Sequence, residues 1–452
     1  MLDLTNRKRL RYVGVSAALA LSVVAAAGCG SASSGESDNT NGGTSSGSAS
    51  EKTKITLWDI QTGDLQTVIK DMVNGFNEKH PKIDAQVQFF ENDPYKQKLQ
   101  VAMGAHNAPD IFFGWGGGIL KSYIDAGDVY DLTSEYDKDP SWKNKFLPSV
   151  MKPVTFGGKI YGVPNNYVQP VFMFYNKSLF KQYNLTPPKT WDDLMRDVSV
   201  FKQHGIIPIA LGGKDKWPDL MWEEYLVDRI GGPQVFNDIA AGKANAWSNP
   251  AVLKANKMIQ QLVDAGAFEP GFSSVGQNDG SATALLYTGK AAMYLMGSWE
   301  FSTMQTNNKA FTQSDLGWMP FPAVTGGKGD PNDIAGNPSN YYSIATDSKH
   351  KAAAVTFLKD AVLDDQTVKN FIKQGQVPPV AGIETELKNA DNGNYMSFVY
   401  DLVKKAPNFQ MSWDQALSPT EAQQLLTDLD KLFLKQMTPQ QFSDDMNKYL
   451  HK

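Results

Sequence analysis

Five segments set a tryptophan beside or near a strong hydrogen-bonding side chain: Trp58-Asp59, Trp217-Pro218-Asp219, Trp222-Glu223, Trp299-Glu300 and Trp413-Asp414-Gln415. A pyranose ring has an apolar C–H face and a rim of hydroxyls, so a site for it needs aromatic platforms beside carboxylates and amides. Charged acceptors bind hydroxyl protons more strongly than neutral ones, and the five pairs are candidates for that chemistry. A sixth tryptophan, Trp115, stands in Gly114-Trp115-Gly116-Gly117-Gly118, where a glycine turn offers little to bury it. Tryptophans also fill cores, and Trp58 and Trp191 are assigned to packing. Trp115, Trp299 and Trp413 are expected to face a ligand, as is one or other of Trp217 and Trp222. Glu300 and Asp414 follow their tryptophans, and Asp219 follows Trp217. Glu91 and Asn92 close a strand-like run and can reach the same site.

The elements that position these residues alternate between β and α periodicity. Residues 54–58 are β-prone, and Leu65, Val68, Ile69, Met72, Val73 and Phe76 then repeat at helical spacing before a second strand over 84–90. Strand, helix, strand within so short a span is a βαβ unit with parallel strands. A helix over 93–105 and a strand over 110–113 follow, so the glycine turn lies at the carboxyl end of a strand, where open α/β sheets bind ligands. Helices are expected over 191–201, 218–230, 251–265, 351–375 and from 419 onward with a break at Thr438-Pro439. The fold class is α/β.

Several chemistries are excluded. The glycine turn lacks G-x-G-x-x-G spacing and an internal basic residue, which argues against a phosphate or dinucleotide cradle. Gly43-Thr44-Ser45-Ser46-Gly47 matches a hydrolase elbow in letters only, with neither the strand nor the helix that motif needs. The five histidines are scattered, giving no metal site, and no cofactor is implied. A net charge of −5 with mixed signs gives no basic surface for nucleic acid. One cysteine rules out an internal disulfide framework.

That cysteine, Cys29, ends a distinctive start. Basic residues at Arg7, Lys8, Arg9 and Arg11 precede an apolar stretch over 13–27 that is short for a membrane span. Ala26-Ala27-Gly28-Cys29 resembles a lipobox, where a bacterial lipoprotein is cleaved and lipidated on cysteine. Residues 1–28 are therefore read as a signal peptide. Residues 29–52 are the lipid-attachment cysteine and a Ser/Gly/Asn-rich flexible tether. The expected location is the outer face of the cell membrane of a bacterium, Gram-positive in type.

Six motifs then occur in one order: Ala108-Pro109-Asp110-Ile111-Phe112, Gly158 to Pro164 (GKIYGVP), Phe174-Tyr175-Asn176-Lys177, Thr190 to Leu194 (TWDDL), Gly289 to Met293 (GKAAM) and Gly297-Ser298-Trp299. Together they resemble the family 1 extracellular solute-binding proteins of sugar importers. The resemblance implies a two-lobe, Venus-flytrap architecture whose hinge is crossed three times, near residues 168–170, 293–295 and 338–341. Lobe 1 is expected to comprise 53–168 and 295–339, and lobe 2 to comprise 169–294 and 340–452. Asn166 and Gln169, at the first crossing, join the candidate ligand contacts; Trp299 and Trp413 resemble cleft positions of the family. The implied ligand is an oligosaccharide, di- to tetrasaccharide and plant-derived such as a xylo-oligosaccharide. The implied partners are permease subunits of an ATP-binding-cassette (ABC) importer, with the protein a monomer. Secreted glycoside hydrolases use similar residues, and a sugar-sensing receptor could share the fold; the motifs favour a binding protein that is not an enzyme.

Overall fold

The computed structural model describes residues 52–450. The signal segment, Cys29 and the tether up to residue 51 lie outside the described residues. In chain order the strands are β1 (Thr53–Asp59), β2 (Ile83–Phe89), β3 (Ile111–Gly114), a hairpin of β4 (Thr155–Phe156) and β5 (Lys159–Ile160), and β6 (Val163–Pro164). They continue with β7 (Gln169–Asn176), β8 (Ile207–Ala210), β9 (Ala291–Gly297), β10 (Leu316–Met319), β11 (Ile334–Asn337), β12 (Tyr341–Ile344) and β13 (Phe409–Met411).

Two sheets organise two lobes. The first has the order β2-β1-β3-β12-β6, with β1 parallel to both β2 and β3 and β12 antiparallel to its neighbours. Helix α1 (Gly63–Lys79) is the crossover of the first βαβ unit, and it buries the six apolar residues whose spacing marks it in the sequence. Helix α2 (Asn92–Gly104) follows β2, and α3 (Gly117–Asp125) starts at the glycine turn after β3. The second sheet has the order β13-β11-β7-β9-β8, with β10 also on β7. Helices Trp217–Gly231, Pro250–Ala265 and Pro419–Phe433 pack together in this lobe. Helix Trp191–Gln203 begins with a capping box, Thr190 accepting from the Asp193 N–H while Asp193 accepts from that of Thr190.

The chain passes between the sheets from β6 to β7 and from β11 back to β12. It crosses again between helix Asp365–Lys373, which packs on α1, and helix Gly393–Lys405, which packs on β7. The crossings lie side by side: Asn165 N–H donates to Asn340 O and Val168 N–H to Val377 O, both at 2.9 Å.

This corrects two expectations about the lobes. The motif positions place residues 295–339 in lobe 1, but β9, β10 and β11 all belong to the second sheet. The expected crossing at 293–295 is the interior of β9, where Tyr294 pairs with Phe174 and Leu295 with Met173. The motif positions place residues 340–452 in lobe 2, but within that span β12 pairs with β3 and helix Lys351–Asp360 packs on β12 and β1. The helix expected over 351–375 is also two helices, separated near Leu363, which has a φ of 55°. A β-branch-free leucine in left-handed backbone is not a break that composition announces.

Candidate functional site

A cavity of about 420 Å³ lies where the carboxyl end of the first sheet meets the second lobe, within the usual range for small-molecule sites of roughly 300–1,000 Å³. The first lobe supplies the β1–α1 turn from Ile60 to Leu65, the start of α2 with Glu91, Asn92 and Lys96, and Trp115. Gln169, Asn337 and Asn340 line it from the crossings, and Trp217, Trp299, Glu300, Asp414 and Gln415 from the second lobe.

The aromatic platforms are held from behind. Trp115 is buried against the edges of Phe113 and Tyr95, at centroid distances of 5.2 and 6.0 Å, with the Lys96 ammonium 5.3 Å from its ring. Trp299 and Trp217 are half-buried and tilted against each other at 6.2 Å and 52°. The Trp299 ring lies across Gly297, where a Cβ would stand 1.9 Å from it, so only glycine at that position allows this placement.

Polar groups between the platforms are largely pre-oriented. Glu300 is buried and accepts from Thr283 Oγ1 at 2.7 Å and Gln277 Nε2 at 2.9 Å. Burial pushes its carboxyl up to about 7, against the lowering effect of those bonds. Asp414 is likewise raised by burial, with Lys96 across the cleft opposing the shift. At the hinge, Asn340 Oδ1 accepts from Asn166 Nδ2 at 2.8 Å and Gln169 Nε2 at 2.6 Å, tying two crossings together.

Four buried polar atoms on cavity-lining residues have no hydrogen-bond partner among the described residues: Trp217 Nε1, Asn340 Nδ2, Asn337 Oδ1 and Gln415 Oε1. Two are donors and two acceptors. Buried polar groups are nearly always paired, and an orphan costs roughly 1–3 kcal/mol.

The lobes also touch directly at the rim of the cavity. Asn278 Nδ2 donates to Asp93 at 2.7 Å and Thr306 Oγ1 to Asp64 at 2.9 Å. The backbone of Gly117 and Gly118 lies against the carbonyls of residues 415–417, so close that a Cβ on Gly118 would be 2.2 Å from Leu417 O.

Of the residues singled out in the sequence, Glu91, Asn92, Trp115, Gln169, Trp217, Trp299, Glu300 and Asp414 line this cavity. Five do not. Gly116 turns toward its own lobe, its Cβ position 2.8 Å from Pro153. Asn166 is buried in the hinge hydrogen bonds. Helix Trp217–Gly231 shows the cleft Trp217 and Met221, one turn apart; Asp219 and Trp222 lie roughly 160° and 140° round the helix from Trp217. Trp222 accordingly packs between Phe268 and Phe321, and Asp219 is fully buried with its carboxyl pushed well above the usual range. Trp413 stacks on Phe236 at 4.6 Å and 10°, while its neighbour Asp414 takes the cleft side. The sequence reading missed Lys96, Asn337, Asn340 and Gln415. Asn337 precedes Pro338 and Asn340 lies two residues beyond it, at an expected crossing, and Gln415 ends a quoted motif, so position rather than residue type was their signal.

Residues 60–368 match the family of bacterial extracellular solute-binding proteins, and the chain belongs to that family. An ABC transporter extracellular-binding protein of Pyrococcus horikoshii is 25% identical over 382 residues, 81% of this chain and 84% of the relative. A solved structure from a study of xylan utilization by the thermophilic bacterium Caldanaerobius polysaccharolyticus superposes with a TM-score of 0.79 at 31% identity, covering 88% of this chain and all of the other. A chitin oligosaccharide binding protein gives the same TM-score at 26% identity, over 88% of this chain and 98% of its own. The two-lobe periplasmic-binding-protein fold expected from the sequence is the fold observed.

Proposed function

We propose that this protein captures an oligosaccharide, of di- to tetrasaccharide length, between its lobes and delivers it to the permease of an ABC importer from a lipid anchor on Cys29. The observation that carries the reading is the interlobe cavity itself: Trp115 on one lobe and the Trp217–Trp299 pair on the other, with the polar side chains of Asn337, Asn340, Glu300, Asp414 and Gln415 lining the same space. Tryptophan faces suit the C–H faces of sugar rings, and a sugar hydroxyl can serve a donor and an acceptor at once. Platforms on opposite lobes accommodate more than one ring, which favours an oligosaccharide over a monosaccharide.

Contact with both lobes is what lets a ligand shift the population toward the closed form. The similar proteins named above include a chitin oligosaccharide binder and a structure from work on xylan, so those two sugar series are the first to try. The experiment is isothermal titration calorimetry on residues 51–452 with xylo-, cello-, chito- and malto-oligosaccharides and their monosaccharides. Micromolar or tighter binding of one oligosaccharide series, without cleavage products, is the expected result. No heat with any sugar refutes the assignment of the ligand, and released shorter sugars refute capture without turnover. Radiolabelled palmitate incorporated into the full chain but not into Cys29→Ser tests the anchor.

A further inference from the structure

The charge around the cavity is one-sided. Five carboxyl side chains line it, namely Asp64, Glu91 and Asp279 at the exposed rim and Glu300 and Asp414 in the buried interior, against the single ammonium of Lys96. That ammonium is already engaged, 3.5 Å from Asp93 and 3.9 Å from Asp414. The lining amides of Asn337 and Gln415 are able to accept a hydrogen bond from a sugar hydroxyl. A carboxylate is acceptor-only and offers them none.

Resting on the reading of the cleft as an oligosaccharide site, we infer that it discriminates by charge, accepting neutral sugars and rejecting those that carry a uronic acid where it enters the cleft. Two physical effects act together. A ligand carboxylate in a cleft closed by both lobes either meets like charge through a medium of lower dielectric than water or forces Glu300 and Asp414, already raised by burial, to take up a proton, and both cost free energy. It also replaces a hydroxyl that is able to donate to a lining carboxylate or amide oxygen, so that hydrogen bond is lost. Discrimination of this kind works through an unfavourable contact with the wrong ligand as much as a favourable one with the right ligand.

The test uses pairs matched in shape. Cellobiose is compared with cellobiouronic acid, which differs only in a carboxylate for a hydroxymethyl group. Xylotriose bearing one glucuronic acid branch is compared with the same sugar after reduction of that acid to glucose. Dissociation constants are measured by calorimetry at pH 7.5, at 20 mM and 500 mM NaCl. The acidic member of a binding pair is expected to bind about tenfold or more weakly at low salt, with the ratio narrowing at high salt as rim charges are screened. In Asp414→Asn the ratio is expected to fall severalfold whatever happens to neutral affinity, which a merely structural loss would not do. Equal or tighter binding of the acid overturns the inference while leaving the oligosaccharide reading intact. Tighter binding that disappears in Lys96→Met would assign that lysine to capturing a carboxylate instead. Failure of every neutral sugar, in this set and in the series above, refutes the underlying reading and this inference with it.

Discussion

Gly118→Ala isolates closure of the lobes from folding of either one. Gly118 sits in the first turn of α3 with no positive φ, so alanine is conformationally allowed there, whereas Gly117, at a φ of 61°, would be strained by any side chain. Within its own lobe the new methyl is benign, since alanine favours helix over glycine by up to about 1 kcal/mol. Across the cleft it is not: its Cβ would stand 2.2 Å from Leu417 O and 2.6 Å from Ala416 O, both rigid backbone atoms. Relief requires the second lobe to back away by the better part of an ångström or more. Inserting a methylene or its like into a packed contact costs about 1–3 kcal/mol, which here falls on the closed form alone. Affinity for the sugar ligand should therefore drop roughly 5- to 150-fold, with the ligand-free melting temperature unchanged or slightly raised. Calorimetric titration and thermal unfolding of the same preparations decide it. A dissociation constant within twofold of wild type would show that the contact between residues 117–118 and 415–417 is not part of the ligand-bound state, and the reasoning fails.

Trp299→Ala and Trp222→Ala should separate cleft from core. The first is expected to weaken sugar binding by about tenfold or more with a small loss of stability, and the second to cost roughly 3–5 kcal/mol of stability because it empties a fully buried position; urea unfolding and titration of each check this, and equal melting losses in the two would contradict the assignment. Asn340→Leu removes the oxygen shared by Asn166 and Gln169, leaving two buried amide groups short of an acceptor, so unfolding should come earlier by roughly 1–3 kcal/mol per group. Stability should also depend on pH in a definite direction. Burial raises Asp59 to about 6, Glu269 and Glu300 to about 7 and Glu224 to about 8. Each therefore binds its proton more tightly folded than unfolded, so its contribution is fully present below the unfolded value of about 4 and is lost as pH rises through the folded values of about 6 to 8. The melting temperature is expected to be higher at pH 5.5 than at pH 8.5, and Glu224→Gln should recover more stability at pH 8.5 than at pH 5.5; a melting temperature that rises with pH would refute it.

Much of this molecule is local in origin and could be read from the chain alone. The apolar spacing from Leu65 to Phe76, the flanking β-prone runs and the glycine turn specify a βαβ start because periodicity acts over a few residues. The ordered motifs led to the family, and the neighbours Trp299 and Glu300 to the cleft. Which lobe a segment joins was decided elsewhere. Residues 291–297 are apolar and buried throughout, as any central strand is, and only pairing with Val171–Tyr175, more than a hundred residues earlier, places them in the second sheet. The same holds for the tryptophans: Trp413 and Asp414 are adjacent in sequence, yet the packing of Phe236 and Trp247 against one turns the other into the cleft. A sequence names the residue types able to stack on a sugar or bond its hydroxyls, because that is a property of each side chain. Which of them face the same cavity depends on contacts between distant elements, and those exist only once the chain has folded.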